Sequence, residues 1–288
     1  MTSSPALVSA PRAESPLAAS APRSAAAPRT RRLPRLLGLA AAELSLLRRN
    51  RMQLGTAIVL PLALPFFFLP LAQNGASGAA LAGVLGTGFV VVLLFVVYYN
   101  LLSAYVARRQ DLVLKRLRTG EASDATVLAA TATPALLLAA VMITLTTALS
   151  IPLLDLPLPE NPLVLALGLG LGAVMLVPLA LVTANITRTV ESAQVTSLPA
   201  MAVLMIGAGG ILPLDLLPEW AARLITFMPS APITALVRLG WLGIDADGAA
   251  VAGADAWLLT AGQTGILLAW TLVGALIVRE HFRWEPRG

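Results

Sequence analysis

Six stretches of the chain run for 18 residues or more without Asp, Glu, Lys or Arg: 53–72, 79–106, 125–151, 162–186, 195–212 and 257–278. A helix needs about 20 apolar residues to cross the hydrocarbon core of a bilayer. A membrane-spanning strand would be about 10 residues long with alternating polarity, and none of the six stretches alternates. The pattern therefore predicts an all-α membrane protein with six transmembrane helices. Pro61, Pro65 and Pro70 in the first stretch each remove a backbone donor, which predicts a kinked helix.

The connections carry patterns of their own. Leu33, Leu36, Leu37, Ala40, Leu44 and Leu47 recur on one helical face, with Arg35, Glu43, Arg48 and Arg49 off it. This predicts an N-terminal amphipathic helix lying in the interface before the first span, the simpler alternative being a plain basic flank. Residues 1–30 are Ala, Pro, Ser and Arg with few large apolar residues, the composition of a disordered cytoplasmic tail ahead of one membrane domain at 31–288. No apolar run marks a secretory signal, and Pro34, Arg35 and Glu43 interrupt any twin-arginine signal at Arg31-Arg32.

Residues 224–244 are apolar enough to suggest a seventh span, but they contain Pro229, Pro232 and Arg238. An arginine near the helix centre costs roughly 2.5–3.5 kcal/mol to insert. The segment 213–255 is therefore expected to form one outer excursion with two short helices, 219–228 and 233–242, at or dipping into the outer leaflet. Trp220, Trp241 and Trp257 are expected near that interface.

Composition agrees with the pattern: 57% of residues are hydrophobic and 12% charged, and the mean hydropathy is +0.82. That excludes an ordinary soluble enzyme. The chain has no cysteine, which excludes disulfides, thiolate catalysis and Cys-based zinc sites. The net charge of +5 gains meaning from its distribution. With both termini cytoplasmic, 18 of the 20 basic residues fall on the inner side and only Arg223 and Arg238 on the outer, leaving +10 inside and −5 outside. This obeys the positive-inside rule, so the basic pI of 10.6 records topology and gives no support to nucleic-acid binding.

Some chemistry is absent. The single lysine, Lys115, follows Leu114, so the sequence holds no lysine-dependent phosphate-binding loop. Gly168, Gly170 and Gly172 do not form a dinucleotide fingerprint. Gly168 and Gly172 permit a close helix approach, either within the chain or to a second copy. The lone histidine, His281, supports neither a metal site nor a Ser-His-Asp arrangement. No ionisable group lies inside the six stretches, which disfavours ion-coupled transport through them.

The connection at 108–121 joins the second and third spans. Val113, Leu114 and Leu117 share a helical face, and Asp111 and Lys115 stand at i, i+4 in the favourable order. On composition alone it is a basic juxtamembrane patch. Its L-K-R-L-R-T-G-E core nevertheless resembles the loop after the second span of ABC-2 type transporter permeases. The stretch 187–194, the P-L-D-L-L-P-E-W element at 213–220 and the ending F-R-W-E-P at 282–286 are similar to further elements of that family, in the same order. Asp111 followed by Leu112-Val113, and Met228-Pro229-Ser230, depart from the family pattern and blur the subfamily.

The resemblance implies a membrane subunit of a bacterial ABC exporter in the plasma membrane. A separate ATPase subunit would carry ATP and Mg, with no cofactor on this chain, and a second permease subunit would complete a homo- or heterodimer. It implies that 108–118 is a coupling helix, with Arg109, Asp111, Leu112, Leu114, Lys115, Leu117 and Arg118 as ATPase-coupling residues. It also makes the N-terminal helix, through Leu36, Leu37, Leu44 and Leu47, the connecting interface helix. The cargo route would lie between two permease subunits beside the second and fifth spans, with Leu94, Tyr98, Met201 and Met205 as candidate lining. Those apolar and amphipathic side chains suit a hydrophobic drug, antibiotic or lipid-like cargo, and packing of the bundle is the plainer account of them. An ATPase-independent carrier or a membrane scaffold is the alternative function.

Overall fold

The structure, a computed structural model, describes residues 51–112, 124–209 and 218–282. The tail at 1–30, the interface-helix residues Leu36, Leu37, Leu44 and Leu47, and the loop residues Leu114, Lys115, Leu117 and Arg118 lie outside the described residues.

In chain order the helices are α1 (Arg51–Gln73), α2 (Gly78–Gln110), α3 (Asp124–Leu153), α4 (Pro162–Ile186), α5 (Ala193–Gly207), α6 (Glu219–Thr226), α7 (Ala231–Leu242) and α8 (Gly253–His281). Among the described residues no strand forms; a single antiparallel bridge joins Ile244 and Ala250. Helices α2, α3, α4 and α8 are long and apolar enough to cross a membrane. Ala57–Gln73 of α1 and Ala193–Gly207 of α5 are shorter apolar helices, and α6 and α7 form a pair bent by 79°. The protein is thus an all-helical, multi-pass membrane protein.

Local signals set the helix starts. Ser77 accepts a hydrogen bond from the Ala80 N–H, and Asn161 accepts one from Val164 with Pro162 in the first turn. α1 stays helical from Arg51 to Gln73 despite its three prolines. The reason is visible at Pro65, which has no N–H to give to the Pro61 carbonyl four residues back. The buried Thr146 hydroxyl of α3 donates to that carbonyl instead, at 3.1 Å. A spanning helix tolerates proline where a neighbour satisfies the freed group.

α4 is the hub of the bundle, with α2, α7 and α8 packed on it. Glycines allow α7 to come close. A Cβ at Gly168 would sit 2.6 Å from Leu236, one at Gly172 would sit 2.6 Å from Ile233, and one at Gly240 would sit 2.6 Å from the Leu165 nitrogen. The Gly168/Gly172 pair therefore serves packing within the chain. These pairs also fix the depth of α7: it begins opposite the middle of α4 and ends beside the first turn of α4.

The position of α7 adds detail to the expectation of two short helices at or dipping into the outer leaflet. Residues 219–226 and 231–242 are helical, close to the expected bounds, but α7 is built into the bundle, with Ile233, Leu236 and Val237 fully buried. Trp220 and Trp257 are exposed, whereas Trp241 is enclosed by protein. It stacks on Phe89 and donates its indole N–H to the Pro157 carbonyl at 3.0 Å.

The two ends of the bundle differ in charge. Arg108, Arg109, Arg188 and Arg279 lie at one end beside Asp111, Asp124, Glu191 and Glu280, and the connection that leaves α2 there carries Lys115, Arg116 and Arg118 in its sequence, so it is termed the basic end. Asp155, Glu160, Asp245, Asp247 and Asp255 lie at the other, the acidic end.

Candidate coupling end and transport path

The basic end is built around Arg109. Its side chain is 1% exposed, the most enclosed of the charged residues described. One guanidinium nitrogen donates to the Ala184 carbonyl at 2.8 Å and the other to the Thr187 carbonyl. Both acceptors belong to the C-terminal turn of α4 and its cap, where carbonyls keep spare acceptor capacity and the helix dipole favours a cation. The forked, planar geometry of arginine suits two acceptors at once. Beside it, Arg108 donates to the Thr131 hydroxyl of α3 at 2.6 Å. The last turn of α2 is thereby tied to both neighbouring helices.

The turn after α4 is also knitted together. Thr189 and Ser192 cap each other's backbone N–H groups at 3.0 and 3.2 Å, and the hydroxyls of Thr187 and Thr196 meet at 2.7 Å. The N–H of Glu191 itself, then the Thr189 hydroxyl, hold the exposed Glu191 carboxyl below the usual carboxylate range. Arg109 thus joins the end of α2 to a rigid connection between α4 and α5.

The family resemblance makes Arg109 one of a set of coupling residues on a single helix spanning 108–118. The structure modifies that in two ways. Arg109 faces inward and grips α4. Arg108 to Gln110 form the last turn of α2, and the helix stops at Asp111, because Leu112 takes a left-handed backbone with φ of 57°. Asp111 and Leu112 are exposed just beyond that stop. No unbroken helix runs from Arg108 to Arg118.

Midway along α2, Leu94–Tyr99 forms a π-helical segment. The Asn100 amide donates to the Val96 carbonyl at 3.1 Å in this widened turn. Such segments are rare and recur at functional sites. The extra width also rotates the remainder of the helix, and this decides the fate of the expected cargo lining. Leu94 and Tyr98 are buried inside the chain, and the Tyr98 hydroxyl donates to Thr183 of α4 at 3.0 Å. Phe95, which is exposed, and Tyr99, which is partly so, form the outward face of the segment, their ring centroids 6.5 Å apart. Met201 and Met205 of α5 are half-buried against the core. The four expected residues therefore do not line one surface of the single chain.

Thr131, Thr146, Thr183 and Asn100 carry no charge and belong to no motif. Their only signal in the sequence is a polar residue within a charge-free apolar run. Each joins two helices or fills a helix irregularity, as polar groups in lipid must find partners within the protein.

Arg109, the knitted turn at 187–196 and the π segment all lie in one region that matches a family model. The ABC-2 type transporter family model matches residues 35–240, which includes α1 to α6 and most of α7. No curated protein and no solved structure matches the chain. The matched region covers well over half of the 288 residues and carries the basic connection between α2 and α3, so the chain belongs to the ABC-2 type transporter family.

Proposed function

We propose that this ABC-family transport permease is the membrane subunit of an ATP-driven exporter in a bacterial plasma membrane. It works with a separate ATPase subunit, which binds ATP and Mg, and with a second permease subunit across the cargo route. In this reading all six apolar stretches span the bilayer, with α5 and α7 as parts of a discontinuous second half, and both termini are cytoplasmic. The basic end then faces the ATPase. The cargo is hydrophobic or amphipathic, in keeping with α2 and α5 surfaces that present Phe95, Tyr99, Val195, Leu198 and Val203.

The observation that carries this reading is the Arg109 grip. A connection that docks on an ATPase moves cargo only if its displacement reaches the spans. A buried guanidinium on the α4 carbonyls provides such a path from the end of α2 to the turn before α5. Two discrete arrangements of rigid helices then alternate as the ATPase opens and closes. The lone lysine, outside any phosphate-binding loop, agrees with nucleotide being held on another chain.

The docking part of the reading is tested by Leu114→Asp combined with Leu117→Asp. The double variant is expected to insert and unfold like the parent chain. It is expected to recover the ATPase at a tenth or less of the parent level on affinity purification, since two charges in a desolvated contact cost about 1.4 kcal/mol or more. Undiminished recovery with undiminished ATP hydrolysis would remove 108–118 from the docking surface.

A further inference from the structure

The elbow between α6 and α7 sits halfway along the bundle, and three contacts agree on its depth. Ile233, near the start of α7, packs on Gly172 of α4. The Ser230 hydroxyl donates to the Leu204 carbonyl of α5 at 2.5 Å. The Trp270 indole N–H of α8 donates to the Phe227 carbonyl at 2.9 Å. At a rise of about 1.5 Å per residue, Gly172, Leu204 and Trp270 lie about 16–21 Å from the basic ends of their helices, and α4 is about 37 Å long. α7 runs antiparallel to α4, with Ile233 on Gly172, Leu236 on Gly168 and Gly240 on Leu165. α6 meets α7 at a bend of 79°. It therefore lies across the bundle near the midplane.

α6 presents charge at that depth. Ala221, Ala222 and Ile225 form its inner face, and the outward half has two edges. Glu219, Arg223 and Thr226 follow one another at helical spacing along one edge, and Trp220, Leu224 and Phe227 along the other. Glu219 and Arg223 pair at 2.5 Å, with side chains 81% and 75% exposed, so the described residues leave both uncovered. Charged groups at mid-membrane depth are costly in lipid and face a water-filled cavity or other protein. Two features favour water. The pair is already neutral, so it offers a protein partner no net charge to complement. The split of the outward half into a polar and an apolar edge is what a helix shows at a boundary between water and hydrocarbon. We propose that α6 is the floor of a water-filled recess that enters from the acidic end and reaches the midplane, with Glu219 and Arg223 facing the water and Trp220, Leu224 and Phe227 facing the apolar surroundings. Under the transport reading, and resting on it, the recess is the outer end of the cargo route, where an amphipathic molecule exchanges an apolar surface for a wet one. The recess itself is independent of any ATPase.

The sequence has no cysteine, so single cysteines report access directly. The full-length chain is labelled in right-side-out and in inside-out membrane vesicles with methanethiosulfonate ethyltrimethylammonium, a charged reagent that does not cross the bilayer. Asp247→Cys, in the exposed turn before α8, marks the acidic side. Leu268→Cys, exposed on α8 within a turn of Trp270, marks lipid at the same depth. Arg223→Cys and Thr226→Cys are expected to react from the Asp247 side about 100-fold faster than Leu268→Cys, because only the thiolate reacts and apolar surroundings cut the thiolate fraction by about that factor. Thr226→Cys keeps the ion pair, so it reports even if Arg223→Cys misfolds. Reaction of both at the Leu268 rate, or only from the side opposite Asp247, would overturn the proposal, whether lipid or a second subunit covers α6. Fast reaction in a chain that recruits no ATPase would retire the exporter reading and leave the recess standing.

Discussion

Arg109→Leu is expected to lower the thermal stability of the purified chain and to uncouple it from its ATPase. The Ala184 and Thr187 carbonyls sit at the end of α4 and lose their charged donor together. A hydrogen bond to a charged group contributes roughly 1.5–3 kcal/mol, and a buried acceptor left without a partner costs its desolvation as well. Ala184 keeps the Thr187 N–H at 3.2 Å, so the expected loss is about 3 kcal/mol rather than twice that. Arg109→Lys should recover part of it, since an ammonium keeps the charge but cannot fork across two carbonyls. Thermal unfolding in detergent, followed by intrinsic tryptophan fluorescence, reads the stability. ATP hydrolysis by the complex, measured with and without the permease, reads the coupling. If the leucine variant unfolds at the parent temperature and keeps full coupling, Arg109 does not link α2 to α4.

The second large effect is at Gly240. A Cβ there would lie 2.6 Å from the Leu165 nitrogen and 3.0 Å from the Leu165 Cα. Those are backbone atoms at the start of α4, and they cannot move aside as a side-chain tip can. Carbon contacts are comfortable only at about 3.5–4.0 Å. α7 cannot retreat, because Thr234 touches the space at Gly86 and Trp241 is stacked on Phe89 on its other side. Gly240→Ala is therefore expected to cost at least about 1–3 kcal/mol, the usual range for overpacking. Gly170→Ala is the control. It stands on α4 with nothing within 4 Å of the added carbon, and it should be neutral or gain about 0.5–1 kcal/mol from helix propensity. Gly240→Ala should lower the unfolding temperature while Gly170→Ala leaves it unchanged or raises it, and equal shifts would mean that α7 does not pack on α4 at this depth.

The long apolar helices are legible in the sequence because exclusion of charge from lipid is a strong, one-dimensional constraint. The stretch 162–186 matches α4 residue for residue, and 125–151 lies within α3. Rotation about each helix axis is not legible. The spans are apolar on all faces, so no stripe distinguishes Leu94 and Tyr98, which are inside, from Phe95, which is outside. The π segment at Leu94–Tyr99 shifts that rotation further, and no residue in it announces the extra backbone width.

Two features run against simple rules. An arginine in a basic connection reads as solvated, yet Arg109 is enclosed because the Ala184 and Thr187 carbonyls at the end of α4 accept its guanidinium as water would. The pair of prolines with Arg238 reads as interfacial, yet α7 enters the bundle because Gly168 and Gly172 on α4 leave space for Leu236 and Ile233. The glycines are visible in the sequence; the helix they admit is not. The three prolines in α1 do not break the helix, as Thr146 from α3 supplies a partner that the local sequence does not contain.

A permease that acts with a separate ATPase is tested most directly by affinity purification of the full-length tagged chain from its native membrane. The co-purified chains are identified by mass spectrometry and the complex is assayed in vesicles. The expected result is a near-stoichiometric partner carrying a phosphate-binding loop, with ATP hydrolysis that depends on the permease. A chain that purifies without any such partner and drives transport in vesicles from an ion gradient in the absence of ATP would contradict it.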